Sequence, residues 1–399
     1  AQESRGLGDV YKRQIGGIVM DYMYFNNAGA GLMSEGTYKT LTDHMNLEMN
    51  VGAYKAATIK SDAVNNFYSL AANLLNAESK EEIAFIDSAS RGWNLIIYGL
   101  DIKESDVIVT LSSEYGTNLL TIYDVVKRTH CGIKVIQCNS EGHFSLDDVE
   151  QALQSGGTIL AVSHVAAQGS IVNPVVELGI LAQKYGATYV VDGCQAVGQI
   201  KVDVQKINCC AYVTAGRKWL RGPRGTGILY VRRNAPIHTP QIDLASADLV
   251  FDDLGTVVDV KVRDDAKQFE LWEKSTASLL GLANAIQEYL DYGIDVAAQE
   301  ICVKANYIRS FVVSNPNLVL VGSENSSTGV VGFYMKDPKQ EKKVKELIEK
   351  ENFIVSYVCD WDCPVFFPKN GVQYVFRISP HYYTSNDDIQ AICNLIQRL

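Results

Sequence analysis

Seven short apolar runs, separated by amphipathic stretches, constrain this chain more than any other feature. They are Ile83–Ile86, Val107–Leu111, Lys134–Cys138, Thr158–Ser163, Thr188–Asp192, Ala211–Thr214 and Gly227–Val231. Each is short and rich in Val or Ile, and most are closed by Gly, Ser or Asp, which is the pattern of buried strands. Helical spacing fills the gaps at Arg91–Gly99, Thr117–His130, Leu146–Gln154 and Val175–Tyr185. Near-continuous apolar strands alternating with helices predict an α/β domain on a mainly parallel seven-stranded sheet, covered on both faces.

The rhythm changes after about Asn234. Ser275–Tyr292 and Ile294–Ser314 have the length and spacing of long helices. Leu318–Val321, Val330–Met335 and Tyr374–Ser379 fit strands, with helices at Gln340–Lys350 and Ser385–Leu399. A smaller α+β domain is therefore expected at the C-terminus. The expected division is a large domain over 35–270, a small domain over 271–399, and a segment 15–34 that packs with the small domain. Residues 1–14 hold no apolar period and are expected to form a tail outside the fold.

Composition narrows the function classes. A net charge of −10 without clustered Lys and Arg argues against nucleic acid as the main partner. No run of eighteen apolar residues exists, so no membrane span is expected. The nine cysteines form no Cys-x-x-Cys pair, and Cys209 and Cys210 are adjacent. That spacing suits neither a metal site nor a relaxed disulfide, and it predicts a reducing, cytoplasmic setting.

In such sheets ligands sit at the carboxyl ends of the strands, so the residues there are the ones to weigh. Asp87-Ser88-Ala89-Ser90 opens a helix, where free N–H groups and the helix dipole favour an anion; taken alone, these residues are more simply read as a plain N-cap. Tyr115 follows the next strand and could stack on a flat ligand or simply pack. His164 closes the Thr158–Ser163 strand, where a histidine is either structural or part of the chemistry. Asp192, two residues before Cys194 and three before Gln195, could hold a protonated ring nitrogen, a ribose or a helix terminus. No second carboxylate or histidine stands at a metal-ligand spacing beside it, and no metal is expected. Lys218 follows the Ala211–Thr214 strand and precedes a Gly/Pro-rich loop, a setting for a desolvated Schiff-base lysine rather than a solvated one. No Gly-x-Gly-x-x-Gly follows a strand and no Walker loop occurs, so a nucleotide-binding α/β protein or a non-catalytic relative is the weaker alternative.

The stretch Val190–Val231 (VVDGCQAVGQIKVDV…TAGRKWLRGPRGTGILYV) resembles the class V aminotransferase branch of fold-type I pyridoxal-phosphate (PLP) enzymes. It is most similar to the cysteine desulfurase, C–S lyase and isopenicillin N epimerase-like group. Tyr24-Phe25-Asn26-Asn27-Ala28-Gly29 resembles that group's N-terminal motif, and the resemblance runs from about Tyr24 to Leu399. It implies that Lys218 binds the cofactor and moves protons at the substrate Cα. It implies that Asp192 pairs with the ring nitrogen, that Gln195 meets the phenolic oxygen, and that Tyr115 occupies the ring-stacking position. Ala89, Ser90 and Arg217 would hold the phosphate. Thr276 would reach the phosphate in the partner subunit, which implies a homodimer. Arg377 would bind the substrate carboxylate, with Asn27 and Ala28 lining the same end.

Some positions depart from the desulfurase pattern. Tyr115 and Arg217 stand where histidines are usual, and Ala215, with Thr214 beside it, replaces a Ser or Thr. Cys363 lies fourteen positions before Arg377, near where one desulfurase type places its sulfur-accepting thiol, but its surroundings match that loop poorly. The expected reaction is Cβ–S cleavage on a small amino acid. Epimerisation at Cα and transamination are the alternatives within the same family.

Overall fold

The computed structural model describes residues 22–399 and the short strands Gln14–Ile15 and Ile18–Val19. Apart from Gln14, the tail expected at 1–14 lies outside the described residues. Among the described residues the central sheet has seven strands. In chain order they are β1 (Ile83–Ile86), β2 (Val107–Leu111), β3 (Gly132–Ile136), β4 (Ile159–Ser163), β5 (Thr188–Asp192), β6 (Ala211–Ala215) and β7 (Gly227–Val231). They lie in the order β1-β7-β6-β5-β4-β2-β3. Strand β7 runs antiparallel to both neighbours, and the remaining pairs are parallel.

The apolar runs form strands because helices cover both faces. Val190 and Val191 in β5 are fully buried, as are Leu160 to Val162 in β4. Each of these Val and Leu side chains stabilises the fold by about 1.5–3 kcal/mol. Strand β3 begins two residues earlier than the apolar run suggests. Gly132 pairs opposite Val107 and Ile136 opposite Leu111. Beyond Ile136 the chain leaves the ladder, and the Cys138 N–H donates to Ser112 Oγ instead (2.8 Å).

Because six strands share one direction, the ends of β1, β2, β4, β5 and β6 reach the same edge of the sheet. That edge gathers Asp87–Ser90, Ser112–Tyr115, Ser163, Asp192 and Ala215–Lys218. The opposite topology would scatter them.

Helices Glu35–Val51 and Ser61–Leu75 pack on Thr276–Tyr292. Periodicity alone does not reveal the first of them, since only Thr37 and His44 along it are buried. A hairpin, Ala247–Phe251 with Val257–Val262, stands away from the core with Leu249 and Phe251 more than half exposed. The C-terminal part holds a four-stranded antiparallel sheet in the order Leu318–Val321, Val331–Met335, Tyr374–Ile378, Ser356–Cys359. Met23–Tyr24 pairs in parallel with Phe353–Ile354, and Phe25 is buried in the core beneath that sheet.

Candidate active site

A cavity of about 350 Å³ opens at the carboxyl edge of the central sheet. One end is the N-terminus of the helix Ala89–Gly99. Ser88 caps it, its Oγ accepting from the Arg91 N–H (3.2 Å). Ala89 and Ser90 lie in the first turn, where backbone N–H groups lack helical partners. Arg217, Arg224 and Thr226 also line the cavity. This donor set matches an anion such as a phosphate.

Asp192 lies on the cavity wall at the end of β5. Its Oδ1 accepts the Cys194 N–H (2.8 Å) and its Oδ2 accepts one N–H of Asn118 Nδ2 (2.8 Å). The carboxylate keeps lone pairs for a third donor. Gly193 follows because the chain turns against the Tyr212 ring, and a Cβ there would collide with its edge. Tyr115 lines the cavity at the N-terminus of the helix Gly116–Thr129, with its ring available to a flat ligand. Burial raises its hydroxyl pKa, so the phenol stays neutral.

Lys218 sits in the turn after β6, and the loop behind it is pinned at several points. The Gly216 N–H donates to Thr226 O (2.9 Å), and the Arg221 N–H to Lys218 O (3.0 Å). Trp219 is fully buried; its Nε1 donates to Gln195 Oε1 (2.9 Å) and its ring stacks on His381. Burial lowers the Lys218 amine below the usual lysine range, and Arg217 and Arg377 push the same way, while Cys194 and Asp192 oppose them. A lowered amine is a better nucleophile and proton acceptor at neutral pH.

Arg377 lies on the strand Tyr374–Ile378 and is buried. Its Nε donates to Ser356 Oγ (2.9 Å) and its Nη1 to Ala167 O (2.8 Å). Arg377 does not itself line the cavity; Ala167, whose carbonyl it holds, does. Burial lowers the guanidinium pKa to about 10, which leaves it charged at neutral pH. Its remaining N–H groups can grip a carboxylate.

Other expected site residues take different places. His164 does not line the cavity: its Nδ1 meets the Tyr212 hydroxyl (2.9 Å), and burial lowers the imidazole pKa to about 4. It is a neutral, buried hydrogen-bonder behind the wall rather than a group facing a ligand. Gln195 does line the cavity, and its Nε2 donates to Ala28 O (2.9 Å). Asn27 and Ala28 are fully buried behind it. Asn27 Nδ2 donates to Ser379 O (2.7 Å), and the Ala28 N–H to Ser379 Oγ (3.0 Å). They couple Gln195 to the strand that carries Arg377. Thr214 is buried with its Oγ1 unpartnered. Arg217 turns one Nη1 hydrogen onto Gly29 O. Thr276 lies apart, in a groove with Tyr54, Trp272 and Leu244. Cys363 is fully buried, its Sγ donating to Gln168 Oε1 (3.2 Å), and burial raises the thiol pKa well above normal.

Sequence reasoning missed Glu114 and Asn118. Glu114 is fully buried and Asn118 nearly so, and together they join β2, β4 and β5. Their four-residue spacing across the helix start hints that they meet each other, but not that they reach Asp192.

The Aminotransferase class-V family model matches residues 23–392. A probable cysteine desulfurase of Pyrococcus abyssi is 25% identical over 396 residues, covering 96% of this chain and 95% of its own. The apo cysteine desulfurase of Thermococcus onnurineus superposes with a TM-score of 0.85 at 22% identity, over 94% of each chain. The cystine C–S lyase C-DES, solved with its product cysteine persulfide, superposes with a TM-score of 0.82 at 18% identity over 94% of this chain and 97% of its own. A mutant of C-DES was solved with glycine covalently linked to its PLP cofactor. At these identities the solved structures establish the fold.

Proposed function

The chain belongs to the aminotransferase class-V family, and from that premise we propose that it is a PLP enzyme that cleaves the Cβ–S bond of a small sulfur amino acid. The observation that carries the reading is one cavity wall bearing Lys218, Asp192, Gln195, Tyr115 and a helix N-terminus together. Those groups match an amine-reactive aldehyde, a ring nitrogen, a phenolic oxygen, a flat ring and a phosphate. PLP, when bound, supplies the electron sink that makes a Cα proton removable.

The chain's own residues do the rest. The first turn of Ala89–Gly99 and Arg217 hold the phosphate. Asp192 keeps the ring nitrogen protonated, and Gln195 donates to the phenolic oxygen. Arg377 grips the substrate carboxylate with the N–H groups that Ser356 and Ala167 leave free. Lys218 Nζ takes and returns the proton at Cα, aided by its lowered pKa. Cys363 is fully buried, does not line the cavity and gives its thiol hydrogen to Gln168, which favours direct release of the sulfur product over transfer to a protein thiol.

The enzyme works as a homodimer in this reading. Thr276 lines a separate groove rather than its own cavity, and the exposed Leu244 and Trp272 that line this groove with it offer apolar surface to a second copy. Nine cysteines without a disulfide fit a cytoplasmic setting. No described helix is long and apolar enough to cross a membrane.

Incubation with L-cysteine or L-cystine tests the reaction. The expected products are pyruvate, ammonia and sulfide or cysteine persulfide, with KM raised strongly in Arg377→Ala. Deuterium exchange at Cα without any sulfur release would replace this reading with epimerisation.

A further inference from the structure

Glu114 and Asn118 form a buried polar link that the roles above do not use. Glu114 stands in the turn between β2 and the helix Gly116–Thr129, with no exposed surface. Its Oε1 accepts the Ser163 N–H (2.6 Å). Its Oε2 accepts Ser163 Oγ (3.0 Å) and one N–H of Asn118 Nδ2 (3.0 Å). The other N–H of the same Nδ2 goes to Asp192 Oδ2 (2.8 Å). A single amide group thus joins two carboxylates. Ser163 sits directly opposite Asp192 in the β4–β5 ladder, so the link is closed on both sides.

We propose that Glu114 is a positioning residue of the cofactor cavity: acting through Asn118, it fixes the Asp192 carboxylate toward the cofactor's ring nitrogen and places a second acidic group behind it. This rests on the PLP reading of Asp192.

The geometry explains why a glutamate is needed. Asn118 has only one orientation, because a flipped amide would aim its oxygen at both carboxylates. Glu114 faces a backbone donor at Oε1 and an amide donor at Oε2. Only a carboxyl group offers an acceptor at both. A glutamine would present its NH₂ to one of these donors whichever way it turned. A protonated Glu114 keeps the link, since its O–H turns to Ser163 Oγ while both oxygens still accept.

The link also carries charge. Asp192 and Cys363 are the titratable groups facing Glu114. Tyr115, Cys194, Tyr212 and Lys218 face Asp192 in turn. Burial, reinforced by the Asp192 charge, raises the Glu114 pKa to about 7 against the pull of its hydrogen bonds. The group behind Asp192 therefore changes charge near neutral pH.

The test uses the PLP-loaded enzyme and three variants: Glu114→Gln, Asn118→Ala and the double substitution. PLP affinity is measured by equilibrium dialysis, the fold by circular dichroism, and the cofactor's absorption is titrated across neutral pH. Each single variant is expected to weaken PLP binding on the order of tenfold, as loss of a supporting partner behind a ligand does. Glu114→Gln, which removes the acidic group behind Asp192, is also expected to lower the pH midpoint of the absorption change, and the double variant to weaken PLP binding no further than either single one, because both act through one link. If Glu114→Gln does not fold, Asn118→Ala carries the affinity expectation. Affinity within twofold of the parent and an unmoved midpoint, while Lys218→Ala still abolishes the absorption band, would overturn the proposal. A parent enzyme with no band at all would instead sink the cofactor reading, and this inference with it.

Discussion

Replacing Glu114 by glutamine should change how stability depends on pH in the cofactor-free protein. The side chain is fully buried, and its pKa is raised from 4.5 to about 7, chiefly by burial. An acid whose folded pKa is raised holds its proton longer in the folded state than in the unfolded one. Below the unfolded value both states are protonated, and the group has no pH effect. As pH rises toward the folded value the unfolded state has already lost its proton, so stability falls. Above both values the full penalty is present. A shift of this size corresponds to about 3 kcal/mol. Glutamine cannot ionise and carries no such dependence, although it loses a hydrogen bond at every pH. Urea unfolding of both proteins at about pH 5 and about pH 8 should therefore show the parent losing its advantage as pH rises, by up to about 3 kcal/mol. Parallel pH profiles for the two proteins would refute the buried, titrating Glu114.

Two further outcomes follow from side chains outside the cavity. Arg309 is fully buried and donates from Nε to Ser170 Oγ (2.8 Å) and from Nη1 and Nη2 to Ser326 O (3.1 Å) and Val330 O (3.2 Å), with further bonds to Asn306 Oδ1 and Thr328 O. Burial lowers its pKa to about 10, which offsets part of the gain from those bonds; Arg309→Met should still destabilise by about 3 kcal/mol in urea unfolding, and no loss would contradict the account. Cys363→Ala should leave sulfur release from L-cysteine within twofold of the parent, whereas abolition would restore that thiol as a sulfur acceptor.

The strands were legible in the sequence because burial on both faces demands unbroken apolar runs. Val190-Val191 and Ile228-Leu229 satisfy it outright. The helix Glu35–Val51 was not legible, since it is held by the surface it lends to Thr276–Tyr292 rather than by an apolar stripe of its own. The exposed hairpin Ala247–Val262 was hidden for a similar reason: its apolar residues point to no core in this chain. Within the site, Asp192, Gln195 and Lys218 could be read because each closes or follows a buried strand. Glu114 and Asn118 could not, because the Asn118–Asp192 bond spans 74 residues and depends on the strand order β2-β4-β5. His164 shows the limit in reverse. Its position at a strand end is right, but it is Ser163 that lines the cavity while the His164 ring meets Tyr212.

The central claim is that Lys218 carries the cofactor. The purified protein, supplied with PLP, reduced with borohydride and digested, should yield one cofactor-bearing peptide by mass spectrometry, the one containing Lys218. Its visible absorption band should vanish in Lys218→Ala. A colourless protein that never takes up PLP, or a cofactor trapped on a different lysine, would contradict the account.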